Sequence, residues 1–126
     1  MKYCNLYIDF APSWVTYDKL TNILGQTPNK HEKTKFETSD EPSTWWLQLV
    51  EDEGDSNADS INFFLDILEP NFDKLEMLDI KRENILIWLV YEYQYQCALS
   101  FIPNELERLG RNGITLNIDC HETKEI

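Results

Sequence analysis

Four stretches of this chain change side at every residue, and this alternation constrains the fold more than anything else in the sequence. Tyr3 to Phe10 sets Cys4, Leu6, Ile8 and Phe10 against Tyr3, Asn5, Tyr7 and Asp9. Thr44 to Glu51 sends Trp45, Leu47 and Leu49 inward. Asn84 to Gln96 carries Ile85, Ile87, Leu89, Tyr91, Tyr93 and Tyr95 on one side, and Ile114 to His121 alternates Ile114, Leu116, Ile118 and Cys120 with Thr115, Asn117, Asp119 and His121. A period of two is that of a strand buried on one face. The chain is therefore expected to build a sheet with one apolar side to cover.

Between these stretches the apolar period changes to that of a helix. Thr16 to Leu24 presents Leu20, Ile23 and Leu24, with Thr16 as the expected N-cap, Gly25 in the left-handed position that follows a helix, and Pro28 preventing continuation. Asp59 or Ser60 caps a helix whose Ile61, Phe64, Leu65 and Leu68 fall on one stripe. Pro70 breaks it and starts another, with Phe72, Leu75 and Leu78 on its buried side. Pro103 opens a last helix using Leu106 and Leu109, ended by Gly110 or Gly113. With a weak strand around Lys35 to Thr38, the order is β-α-(β)-β-α-α-β-α-β. The expected fold is α+β: a mainly antiparallel sheet with helices on one face, built from two split β-α-β halves of the ferredoxin-like type. Residues 1–126 are expected to form one domain, with 122–126 a frayed tail.

Several short motifs occur in a characteristic order. They are Ile23-Leu24-Gly25-Gln26-Thr27-Pro28, the strand Trp45-Trp46-Leu47-Gln48-Leu49, the segment Leu99-Ser100-x-x-Pro103-x-Glu105-Leu106 with Leu109-Gly110, and Leu116-Asn117-Ile118-Asp119. Together they resemble a bacterial family of uncharacterised proteins, domain-of-unknown-function family 4279, from about Tyr3 to Cys120. The Lys-Gly-Asp element usual before the Trp strand is missing here. The resemblance implies an α+β fold of repeated halves and no reaction, substrate or cofactor. By analogy of type, small acidic bacterial proteins of this kind are often immunity proteins that neutralise toxins.

The charge distribution points to the kind of partner. Of the 23 acids, thirteen lie between Phe36 and Asp79 with one base, Lys74, a net of −12 that equals the net of all 126 residues. The flanks carry ten acids and ten bases and cancel. Such a field attracts a basic protein and repels nucleic acid and anionic membrane. Glu51, Asp52, Glu53, Asp55 and Asp59 crowd one loop, and Asp40 and Glu41 precede the Trp strand. A basic groove would relieve their mutual repulsion, and Trp46 would supply the desolvated anchor. On the outward side of the strands, Tyr3, Tyr7, Trp46 and Trp88 are expected with Gln48, Asn117 and Asp119. These aromatics lack the interleaved bases of an RNA platform.

Catalytic and metal signatures are missing. Asp55-x-Asn57-x-Asp59 matches the first three ligand positions of an EF-hand, but Ser60 stands where glycine is needed and Asp66 where a bidentate glutamate is usual. Cys120 and His121 face opposite sides of a strand, and His31 is far along the chain. The glycines fit no nucleotide motif. Neither a metal, a cofactor nor a catalytic residue is expected. Cys4 and Cys120 fall on alternating strand positions where free cysteine is usually a small buried hydrophobe. That usage, with no leader segment at Met1 and no long apolar run, suggests a cytoplasmic protein. The expectation is a non-catalytic acidic binding protein, an immunity protein that occludes the basic nucleic-acid-cleaving site of a toxin domain. The alternative is a structural or regulatory interaction module, homodimeric or with another partner.

Overall fold

The computed structural model describes residues 1–31, 38–51 and 57–123, excluding the side chains of residues 57–59. The elements follow as β1 (Lys2–Asp9), α1 (Trp14–Leu24), β2 (Thr44–Glu51), α2 (Asn57–Leu68), α3 (Phe72–Glu76), β3 (Ile85–Tyr93), α4 (Pro103–Arg111) and β4 (Thr115–Glu122). Single 3-10 turns at Glu69–Asn71 and Arg82–Asn84 join α2 to α3 and lead into β3. The weak strand expected near Lys35 falls largely outside the described residues, and Thr38 is not in a strand.

The sheet order is β2-β1-β3-β4. β1 pairs antiparallel with both β2 and β3, while β3 and β4 are parallel. The sheet is therefore mixed: β2, β3 and β4 run one way and β1 runs against them. This α+β arrangement differs from the expected pair of split β-α-β halves. In a β-α-β unit the helix itself returns the chain, so the two strands run parallel. Here α1 carries the chain away from the end of β1, and segment 25–43 brings it back to the same end. Thr44 then pairs with Asp9, Phe10 N–H donates to the Ser43 carbonyl (2.9 Å), and β2 leaves antiparallel. The second half is a direct β3-α4-β4 crossover between neighbouring parallel strands.

One parity of the strands is buried. Cys4, Leu6, Ile8, Trp45, Ile85, Ile87 and Leu89 join Tyr17, Leu20 and Leu24 of α1, Ile61, Phe64, Leu65 and Leu68 of α2, Phe72 and Leu75 of α3 and Leu109 of α4 in one core. The described helices thus cover one face only. Trp45 of the edge strand β2 is fully buried and donates its indole N–H to Thr21 Oγ1 of α1 at 3.1 Å. The N-cap of α1 lies three residues before the expected one: Ser13, not Thr16, takes that place and accepts from Thr16 N–H at 3.1 Å. Gly25 ends the helix at φ 64°, its N–H donating to the Thr21 carbonyl. α2 begins at Asn57, which places the would-be calcium ligands Asn57 and Asp59 in a helix, where a calcium loop needs irregular backbone. No described helix is long and apolar enough to cross a membrane.

Candidate interface on the open sheet face

The register of the four described strands lays out in rows the face that no described helix covers. Trp46, Tyr7, Leu86 and Thr115 form the first row; Gln48, Asn5, Trp88 and Asn117 the second; Val50, Tyr3, Val90 and Asp119 the third. None of these side chains joins the core, and none is a lysine or arginine. The rings of Tyr7 and Trp46, directly opposed on β1 and β2, stack at 5.7 Å with 7° between planes. Such pairs add to sheet stability and present a rigid apolar surface.

Asn5 lies at the middle of this face between Gln48 and Trp88. It is 5% exposed, and its Oδ1 has no hydrogen-bond partner among the described residues. Burial raises the Tyr7 pKa, and the neighbouring Asn5 side chain offsets part of that rise. Asn5, Tyr7, Trp88, Val90 and Asp119 line an open depression of about 380 Å³. At its rim His121 Nδ1 lies 4.0 Å from the Asp119 carboxylate, and His121 Nε2 lies 3.7 Å from Glu92.

The acids singled out in the sequence do not all meet. Asp40 and Glu41 are exposed beside the start of β2, whereas Glu51 closes it. Across this eight-residue strand the separation is about 23 Å at about 3.3 Å per residue. Glu51 points inward beside Lys2 and is only 7% exposed, so it offers no carboxylate to a partner in this state. Neither of its carboxylate oxygens has a hydrogen-bond partner among the described residues. Asp52, Glu53 and Asp55 lie outside the described residues, as does the side chain of Asp59. Trp46 is the expected contact that stands on the open face.

Other acids are neutralised within the molecule. Arg108 of α4 donates Nε–H to Glu69 Oε1 at 2.9 Å, NH1 to Asn62 Oδ1 at 2.8 Å and NH2 to Asp66 Oδ1 at 2.6 Å, and NH2 also meets Glu69. Asn112 donates to the other Glu69 oxygen at 3.0 Å, with Arg111 at 3.7 Å. These donors, Arg108 first, hold the Glu69 carboxyl below its ordinary pKa. Asp66 and Glu69 therefore help clamp α2 to α4.

The cysteines divide into two kinds. Cys4 is fully buried as expected, and burial, with the Glu51 charge nearby, pushes its thiol up to about 12. Cys120, expected to be buried, is exposed; its sulfur lies 3.0 Å from that of Cys97. It has the inward parity, but this end of β4 extends beyond the helical cover. His31 packs edge-on against Trp14 and Tyr17. Among the described residues no cluster of three or more histidines, cysteines or acids could hold a metal ion.

Sequence reasoning placed Asn5 on the outward side but gave it no role. The available signal was a carboxamide between two outward tyrosines, Tyr3 and Tyr7, on the innermost part of the strand. No family model, curated protein or solved structure matches this chain.

Proposed function

We propose that this chain is a non-catalytic binding protein for a basic protein, acting as an immunity protein that occludes the nucleic-acid-cleaving site of a cognate toxin domain. The observation that carries the reading is the sheet face that no described helix covers: a stacked Tyr7–Trp46 pair, Trp88 and the Asp119 carboxylate, without a lysine or arginine among its strand positions, in a chain of net charge −12. Aromatic side chains supply the desolvated anchor of an interface, and the negative field steers a cationic partner onto it. Asp40 and Glu41 extend the acidic rim beyond the Trp46 end of the face. The motifs shared with domain-of-unknown-function family 4279 make membership of that family part of the proposal. They bring a fold with them and no reaction.

The test is co-expression with the product of the adjacent gene. A stoichiometric complex with suppressed nuclease activity is expected, and its association rate should fall steeply as salt is raised. Trp46→Ala should weaken binding by about tenfold or more, whereas Glu51→Gln, altering a buried group, should leave the association rate unchanged. Failure to form a complex, or a complex indifferent to both salt and Trp46→Ala, would overturn the reading.

A second reading is favoured by a separate feature. β4 ends the sheet, no described strand pairs with its outer edge, and Ile118 on it is 46% exposed. Such an edge can add a strand from a second copy. A dimer by light scattering that dissociates on Asn117→Pro would support a homodimeric regulatory module.

A further inference from the structure

The geometry points to the depression around Asn5 as a receptor for one arginine side chain of the partner. This deepens the reading above and rests on it for the nature of that partner. A buried carboxamide oxygen without a partner has lost its hydration for nothing unless a donor arrives from outside. Asn5 Oδ1 is such an acceptor, in a residue 5% exposed that lines the depression. Of the Asn5 polar atoms it is the buried Oδ1 that lacks a partner among the described residues, so the vacant function here is acceptance.

The other lining groups restrict what can donate. Asp119 contributes a carboxylate at the β4 side. Tyr7 and Trp88 contribute ring surface, and Val90 an apolar wall. Acceptors at separate places, aromatic faces between them and a negative field together suit a planar, delocalised cation. A guanidinium has five N–H donors, stacks on aromatic rings and is weakly hydrated, whereas a lysine ammonium is a compact and strongly hydrated charge. A phosphate or carboxylate ligand would face Asp119 with no lysine or arginine among the open-face strand positions to offset the repulsion.

The test uses the full chain and three small probes: the N-acetyl N-methylamides of arginine, lysine and citrulline, the last a neutral analogue of arginine with similar shape. Binding is followed by nuclear magnetic resonance at the Trp88 indole N–H and the Asn5 side-chain amide. The arginine probe should shift both signals saturably, with lysine weaker and citrulline without effect. Asp119→Asn should raise the Kd for the arginine probe about five-fold. Asp73→Asn, which removes the same charge from an exposed position on α3, should not change it. Absence of the shifts overturns the inference. So does equal binding of citrulline or lysine, or an equal effect of Asp73→Asn, which would mean that only the overall field is felt. Binding of the arginine probe by a chain that forms no complex with the adjacent gene's product would retain this pocket and discard the immunity reading. A salt-sensitive complex with that product, alongside no response to the probe, would do the reverse.

Discussion

Arg108 makes the densest set of polar contacts of any described residue, and its removal tests what the acids are for. It is part-buried, and it ties Asn62 and Asp66 of α2 and Glu69 of the turn that follows to its own helix α4. Arg108→Ala should lower stability by about 1–2 kcal/mol at neutral pH, since hydrogen bonds to charged groups are among the stronger ones but Glu69 and Asp66 keep access to water. The pH dependence has a definite sign. The folded-state pKa of Glu69 is depressed by Arg108 and Asn112. Its contribution is therefore complete above the ordinary glutamate pKa and is lost as pH falls through the lower folded value. The stability difference between the native chain and Arg108→Ala should narrow across that acid window, as measured by urea unfolding at successive pH values. A constant difference would mean that the guanidinium acts through packing alone. Trp45 belongs to the same scale. Thr21→Val removes the acceptor of its buried indole N–H and should cost about 1–3 kcal/mol, the penalty of an orphaned donor.

At the scale of elements, β4 shows how far side alternation can be trusted. Its parity puts Leu116, Ile118 and Cys120 on the helix side, yet only Leu116 packs against the core. The strand outruns its cover, so inward does not mean buried there. Glu51 illustrates the converse: an acid in an acidic run reads as solvated, but parity and a covered sheet end bury it. The alternating and helical periods were legible because each element has two chemically different sides, and they located all four strands to within a few residues. The pairing of β1 with β2 was not legible, because direction depends on where segment 25–43 returns the chain rather than on any pattern within the strands. The open face was legible residue by residue, but not the role of Asn5, since a polar group on a polar side gives no contrast. The exposed Cys97–Cys120 pair was hidden for a similar reason: it joins the segment after β3 to the far end of β4. With glutathione disulfide as oxidant, these two thiols should form an intramolecular disulfide and release two glutathiones, the protein losing two hydrogens. The hydrogen bond between Cys97 and Cys120, and then partial loss of hydration, push the Cys120 thiol up to about 11. Because thiolate is the attacking form, crosslinking should accelerate as pH rises above neutrality. Peptide mapping should find Cys4 reduced, as its burial requires; preferential oxidation of Cys4 would contradict this arrangement.

At the scale of the molecule, the described acids form a distributed field rather than a single patch. Asp40 and Glu41 lie at one end of β2, Glu51 at the other, Asp66 and Glu69 against α4, and Asp73 and Glu76 on α3. A net of −12 on a chain of 126 residues repels itself in the compact state. Salt should consequently act with opposite signs on folding and on binding. Between about 0.01 and 1 M salt, the screening length falls from about 30 Å to about 3 Å. Self-repulsion within the folded chain is then nearly abolished, and the melting temperature should rise by several degrees. The Arg108 cluster weakens under the same conditions, but it is one local site worth about 1–2 kcal/mol against a charge excess felt everywhere. Association with a cationic partner loses its steering over the same range, so its rate should fall. Sodium chloride is the salt to use, because sulfate strengthens apolar burial by a different route. Thermal melts and stopped-flow association on the same samples separate the alternatives. A rising melting temperature with a falling association rate identifies a field that opposes folding and serves binding. A melting temperature that stays flat would mean that the charges are already paired at home and have no long-range attraction to offer a partner.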